Sequence, residues 1–332
     1  MPKIKSRWVC QECGFQTSGF LGRCTECSSW NSFVEELQEE EQAAKKGSFV
    51  ARLNAGMASG NAAATSGPMP LNEVEDNFSA LDQSRLPTGI TGLDQVLGGG
   101  LVPGSVVLLA GDPGIGKSTL LLQVANFIAE KHKVLYVSGE ESASQLRLRA
   151  SRMNINKANI LIDSEQDVSQ IRENMLNSGA LVTIVDSIQC LYHPQVGSAP
   201  GSVSQVREGA QFLISAAKAK DIATIMVGHV TKDGSIAGPR VLEHMVDVVL
   251  QFEGDRSRQL RIIKPAKNRF GSTQEIAVLS MTELGLMEVE NPSALLLGDR
   301  LSKLGRKQAP SGTAVIAGGE GNQSLLLEVQ AL

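Results

Sequence analysis

The chain has 332 residues, 42% hydrophobic and 20% charged, enough for one substantial core and a smaller module. Its formal net charge of -4 excludes a protein that coats nucleic acid by bulk charge and confines any DNA contact to local basic loops. No run approaches the ~18 apolar residues of a membrane span, and the basic start, Met1 to Arg7, has no apolar stretch behind it, so a cytoplasmic protein with no membrane contact is expected.

Cysteine comes first along the chain. Four of the five lie between positions 10 and 27, where Cys10-x2-Cys13 and Cys24-x2-Cys27 are separated by residues 14 to 23. Each pair at that spacing turns two thiolates toward one tetrahedral ion, and four thiolates leave no position for water, so a structural zinc (Zn²⁺) is expected. The module, residues 1–34, has only Trp8, Phe15, Phe20, Leu21, Trp30 and Phe33 to bury, too little to fold without metal. Residues 35–70 begin acidic and turn rich in Ala, Gly, Ser and Asn, which predicts a flexible linker.

Residues 71–290 alternate apolar runs with amphipathic stretches, which predicts an α/β domain whose mostly parallel sheet carries helices on both faces. Strands are expected at Val106 to Ala110, Lys133 to Ser138, Leu181 to Asp186, Ile222 to Val227, Val246 to Phe252 and Gln259 to Ile263. Helices are expected at Lys117 to Glu130, Ser142 to Arg152, Asp167 to Asn177 and Ser204 to Lys220. Residues 291–332 are punctuated by Pro, Ser and Gly and end in two short strands, Thr313 to Gly318 and Ser324 to Val329.

Between the first strand and first helix stands Gly111-Asp112-Pro113-Gly114-Ile115-Gly116-Lys117-Ser118-Thr119. Its glycines let backbone N–H groups curl around phosphate, the helix aims its positive end there, Lys117 reaches the β- and γ-phosphates, and Ser118 ligates Mg²⁺. The guanine-reading pattern Asn-Lys-x-Asp is missing, which leaves ATP as the expected nucleotide.

Hydrolysis needs more than this loop. Asp186, at the end of an apolar strand, is the expected second holder of Mg²⁺. Glu140 follows the Lys133 to Ser138 strand; were that strand beside the loop strand, its carboxylate would face the γ-phosphate and activate water, with Glu141 the substitute. Both glutamates also suit the N-terminal end of the Ser142 helix. His229 sits at another strand end, where it would sense the γ-phosphate or simply finish the strand. Lys264, Lys267 and Arg269 gather charge after the last strand, as fingers inserted into a neighbour's site do, and as solvated faces do.

Several motifs together resemble the bacterial RadA (Sms) repair family of RecA-like P-loop ATPases. They are the four cysteines, Pro87-Thr88-Gly89-Ile90, Leu97-Gly98-Gly99-Gly100-Leu101-Val102-Pro103-Gly104, the phosphate loop, Val137-Ser138-Gly139-Glu140-Glu141-Ser142, Asp186-Ser187-Ile188-Gln189, Gly238-Pro239-Arg240 and Lys267-Asn268-Arg269-Phe270-Gly271. The resemblance implies a RecA-like core, Glu140 as base, and Lys267 and Arg269 as a finger acting in trans. It also implies a homo-hexameric ring that binds single-stranded DNA and branched recombination intermediates, works with recombinase machinery, and migrates branches. Tyr192 to Ser202 and Thr231 to Arg240 match the family's channel loops, with Arg207, Lys232 and Arg240 as phosphate contacts. Family members continue into a Lon-protease-like domain, of which residues 291–332 would be the opening. A nucleotide-gated assembly protein with slow hydrolysis is the alternative.

Overall fold

The computed structural model describes residues 4–39, 85–230, 236–237, 241–254, 260–289, 313–320 and 323–330. Lys232, Arg240, most of the second channel loop, residues 40–70 of the expected linker and residues 291–312 lie outside the described residues.

Three antiparallel strands form the N-terminal module: β1 (Ile4–Cys10), β2 (Gln16–Thr17) and β3 (Phe33–Glu39), in the order β2-β1-β3. Pairing runs from Cys10↔Phe33 to Ile4↔Glu39, so β3 continues five residues into the stretch expected as linker. The acidic composition there conceals a strand whose register is set by its partner, not by its own apolar pattern.

The main sheet is built from β4 (Val106–Gly111), β5 (Val134–Ser138), β6 (Ile160–Asp163), β7 (Val182–Asp186), β8 (Ala223–Val230), β9 (Ile236–Ala237), β10 (Val248–Gly254), β11 (Leu260–Asn268), β12 (Ala277–Thr282) and β13 (Gly285–Glu288). Its order is β13-β12-β11-β10-β4-β8-β7-β5-β6, with β9 on β8. Pairs from β10 to β6 are parallel, whereas β10-β11, β11-β12 and β12-β13 are antiparallel, so the sheet is mixed, with a parallel centre. A hairpin of β14 (Thr313–Glu320) and β15 (Gln323–Gln330) matches the two expected terminal strands.

Helices are α1 (Thr91–Leu97), α2 (Lys117–Ile128), α3 (Ala143–Arg152), α4 (Val168–Asn177), α5 (Val203–Ala219) and α6 (Val241–Met245). Three of their starts, those of α3, α4 and α5, follow side-chain chemistry. Ser142 and Gln145 form a capping box on α3, and Asp167 and Ser202 accept from the first turns of α4 and α5. Strand β4 is buried throughout; Val107 and Leu109 pack toward α1 and α2, and Val106, Leu108 and Ala110 toward α4 and α5. That period-2 split buries helices on both faces, as a central parallel strand requires.

One expectation about position fails. Strand β5 does not lie beside β4, because β8 and β7 are inserted between them. Another fails about length: Lys264 and Lys267 lie inside β11, which runs through Pro265 to Asn268.

Candidate active site and zinc centre

In the module, the four cysteine Sγ atoms lie within 4.8 Å of one another. Cys10 and Cys27 are 3.6 Å apart and Cys13 and Cys24 3.5 Å. Tetrahedral zinc with bonds of about 2.3 Å places its sulfurs about 3.8 Å apart, so this donor set fits zinc. Cys10, Cys24 and Phe33 form the buried centre of the module, with Trp8 and Phe15 packed against it. The metal site therefore occupies the place of a hydrophobic core.

The phosphate loop joins β4 to α2. Gly114 and Gly116 both have positive φ, 77° and 117°, and a Cβ on Gly116 would stand 2.6 Å from Met281 Cε. Both positions therefore call for glycine, for a left-handed backbone and, at Gly116, for close packing against Met281. It borders a cavity of about 270 Å³ that also meets Glu140, Asp186 and His229. Arg261 on β11, which belongs to no motif, is buried and donates from Nε to Ile115 O at 2.9 Å, supporting the loop from behind.

Lys117 is buried and donates to Gly111 O at 2.7 Å, to Asp112 O at 3.0 Å and to His229 Nδ1 at 3.3 Å. Burial pushes its pKa down, opposed by the charges of Asp186 and Glu140. An ammonium only donates, so Nδ1 of His229 accepts and its Nε2–H donates to Glu140 Oε1 at 2.7 Å. The Ser187 hydroxyl donates to the same Glu140 oxygen. The hydrogen bond from His229, joined by that from Ser187 and opposed by burial, holds the Glu140 carboxyl down at about 2.

Glu140 reaches this cluster although β5 is three strands from β4. The turn after β5 is held against β7 by Gly139 N–H donating to Asp186 O at 2.9 Å, which carries Glu140 back across the strand ends. Glu141 is drawn aside into an ion pair with Arg149 of α3. Asp186 accepts from the buried Tyr136 hydroxyl at 2.9 Å and from Ser118. Burial raises its pKa, with those two hydrogen bonds opposing. Ser118 and Asp186 thus supply adjacent hard oxygen donors, a set suited to Mg²⁺.

Lys267 and Arg269 stand elsewhere. Lys267 Nζ donates to Glu243 O at 2.8 Å and Val246 O at 2.7 Å, at the end of α6. Arg269 Nη1 donates to Asp247 Oδ1 at 3.1 Å. Asp247 is level with Val106, at the opposite end of β4 from Gly111, which puts these cations about 17 Å from their own phosphate loop at ~3.3 Å per residue. Arg207 is exposed near the start of α5. The loop before it, expected as a channel loop, is organised by Gln205, which accepts from His193 N–H at 2.7 Å and donates to Val196 O at 2.8 Å and Ser198 O at 2.9 Å. Gln205 and Tyr136 carry no signal in the sequence, and Ser187, though part of the Asp186-Ser187-Ile188-Gln189 motif, carries none for its bond to Glu140, because these partners are distant along the chain or lie in irregular backbone.

Comparison with known proteins is consistent with this geometry. A family model described as an AAA domain matches residues 72–235, and one described as a rubredoxin metal binding domain matches residues 8–35. The chain is 44% identical over 333 residues to the DNA repair protein RadA of Halalkalibacterium halodurans, covering 100% of this chain and 68% of that protein. It is 46% identical over 332 residues to the DNA repair protein RadA of Streptococcus pyogenes serotype M1, with 100% and 68% covered. The crystal structure of a KaiC-like protein from Pyrococcus horikoshii OT3 superposes with a TM-score of 0.51 at 21% identity, covering 62% of this chain and 98% of that one, a likeness of fold. Among the described residues no helix is long and apolar enough to cross a membrane. With identity of this order along its whole length, the chain belongs to the family of DNA repair proteins named RadA, a RecA-like P-loop ATPase core preceded by a four-cysteine zinc ribbon.

Proposed function

We propose that this chain is a DNA-dependent ATPase of recombinational repair that couples hydrolysis to translocation on single-stranded DNA and to branch migration, as a homo-hexameric ring working beside recombinase machinery. Its relatives are named DNA repair proteins, which supports the biological setting. The observation that carries the mechanism is the split of charged groups between the two ends of β4. Lys117, Glu140, Ser118 and Asp186 gather at one end, and Lys267 and Arg269 lie at the other. Fingers so placed serve a neighbour's nucleotide.

In this reading Lys117 leaves the loop carbonyls to bind the β- and γ-phosphates, and residues 111–119 wrap the phosphate chain. Glu140 orients the attacking water, and Arg269 and Lys267 of the adjacent copy offset charge developing on the transferred phosphoryl group. Mg²⁺, held by Ser118 and Asp186, would neutralise phosphate charge. His229 bridges Lys117 and Glu140, so a ligand that draws Lys117 away changes what holds Glu140. Arg207, Lys232 and Arg240 contact the DNA backbone. The corresponding organisation is a zinc module over 1–34, a connector over 35–70, the ATPase over 71–290 and the opening of a Lon-protease-like domain over 291–332. Turnover measured with and without single-stranded DNA, alongside solution mass with and without nucleotide, tests it; turnover indifferent to DNA in a protein that stays monomeric refutes it.

One observation favours the second reading, a nucleotide-gated DNA-binding protein with slow hydrolysis. A carboxylate held at about 2 is a weak proton acceptor. Glu140 suits water activation only once His229 and Ser187 release it. Single-turnover hydrolysis on DNA-bound protein separates the readings: no product on any catalytic timescale, with DNA affinity still answering to ATP, selects the second.

A further inference from the structure

Asp247 has no place in any motif, yet it is the joint on which the far end of the sheet is assembled. It sits between α6 and β10 and is buried, 4% exposed. Its backbone N–H donates to Val106 O at 3.0 Å, and its Oδ2 accepts from Val106 N–H at 3.0 Å, so both its main chain and its carboxylate are fixed to the first residue of β4. Its other oxygen, Oδ1, faces outward to two cations, Arg269 at 3.1 Å and Lys218 at 3.6 Å. Arg269 N–H also donates to Asp247 O at 3.2 Å. A carboxylate pinned in this way is a rigid acceptor, whereas the arginine it holds has a side chain 54% exposed.

We propose that Asp247 is the positioning residue for the Arg269 finger, and that it joins the finger to the strand whose other end carries the phosphate loop. This rests on the trans-finger reading above. An arginine side chain explores many rotamers, and a guanidinium that must enter another subunit's site is effective only if its direction is set beforehand. Asp247 sets that direction through one Nη1 contact and leaves the side chain about half exposed. Lys267 rests on the carbonyls of Glu243 and Val246 at the end of α6, at the same end of β4 as Arg269.

A double-mutant cycle in turnover tests the assignment. Asp247→Asn keeps nearly the same volume and an oxygen able to accept from Val106, but it gives up the charge that holds the guanidinium. Its kcat is expected to fall about ten- to a hundredfold, with KM for ATP and nucleotide affinity at its own loop unchanged. Combined with Arg269→Ala, it should add no further loss. A wild-type kcat, or losses that multiply in the double variant, would overturn the proposal. A second arm places the substitution in chains that supply only the finger. Lys117→Ala chains should restore turnover to Arg269→Ala chains in mixed rings, and chains carrying both Lys117→Ala and Asp247→Asn should not; equal restoration by the two refutes the role of Asp247. Failure of Lys117→Ala chains to restore anything points instead to the trans-finger reading, which falls and takes this proposal with it. If circular dichroism shows Asp247→Asn unfolded, Asp247→Glu replaces it, keeping the charge on a longer arm, with the same expected loss of kcat and the same refuting result.

Discussion

Replacing Gln205 by leucine would remove the side chain that organises the loop from Tyr192 to Ser202, the first proposed channel loop, while nearly preserving volume. Gln205 is 3% exposed and makes three short hydrogen bonds of 2.7, 2.8 and 2.9 Å to the backbone of His193, Val196 and Ser198, beside a longer one of 3.4 Å to His193 O. At about 1 kcal/mol net for each short bond, the ordered loop loses roughly 3 kcal/mol relative to open forms, close to a hundredfold in equilibrium. The loss is local, because α5 keeps Val206, Ala210 and Leu213 in the core below. Amide hydrogen exchange should report it as about a hundredfold faster exchange at Val196 and Ser202, whose N–H groups donate to His193 O and Ala199 O. If this loop tracks the DNA backbone, affinity for a single-stranded oligonucleotide should fall and DNA should no longer stimulate turnover, with basal hydrolysis kept. Accelerated exchange with unchanged DNA affinity would refute the loop as a DNA contact. Unchanged exchange would refute the energetic reasoning.

Three further outcomes are expected. Lys117→Ala should lose nucleotide binding and turnover together, whereas Glu140→Gln should bind ATP by calorimetry and fail to hydrolyse it; wild-type turnover in the second would transfer the role to Glu141. Metal analysis should find one zinc per chain, lost in a Cys24/Cys27→Ser double variant whose ATPase core still melts cooperatively; zinc retained there would remove the four-cysteine assignment. Equal mixtures of Lys117→Ala and Arg269→Ala chains should regain about a quarter of wild-type turnover, since random assembly pairs an intact loop with a neighbour's intact finger at that fraction of junctions. Zero recovery in oligomers shown by mass to be mixed would return Arg269 to a role within its own subunit.

The phosphate loop and cysteine quartet are legible because each is a local device: its chemistry depends on spacing along a few residues. The strand-helix alternation is legible for the same reason, since Val106 to Gly111 and Val134 to Ser138 carry their burial in their own side chains. Sheet order is not. Two later strands enter between β4 and β5, so Glu140 meets His229, 89 residues away, through a turn that no local pattern announces. Pro265 misleads in another way. A residue without an N–H argues for the end of a strand, yet β11 continues through it because the ladder shifts register at Val249/Leu250, opposite the proline. The short antiparallel strands β12 and β13 escape sequence reading altogether; they lie at the sheet margin, where half-exposed positions dilute the apolar signal.

The distance between the two ends of β4 also bears on inheritance. On the proposed reading, each copy hosts one reaction and lends an arginine to another, so the two kinds of lesion are not equivalent in a cell that carries two alleles. A product defective in the loop forfeits its own site and remains a competent donor. A product lacking Arg269 remains a competent host and starves the next site. The two alleles are expected to complement each other, whereas one allele with both lesions should be dominant over wild type, because every copy it places in an assembly silences two sites.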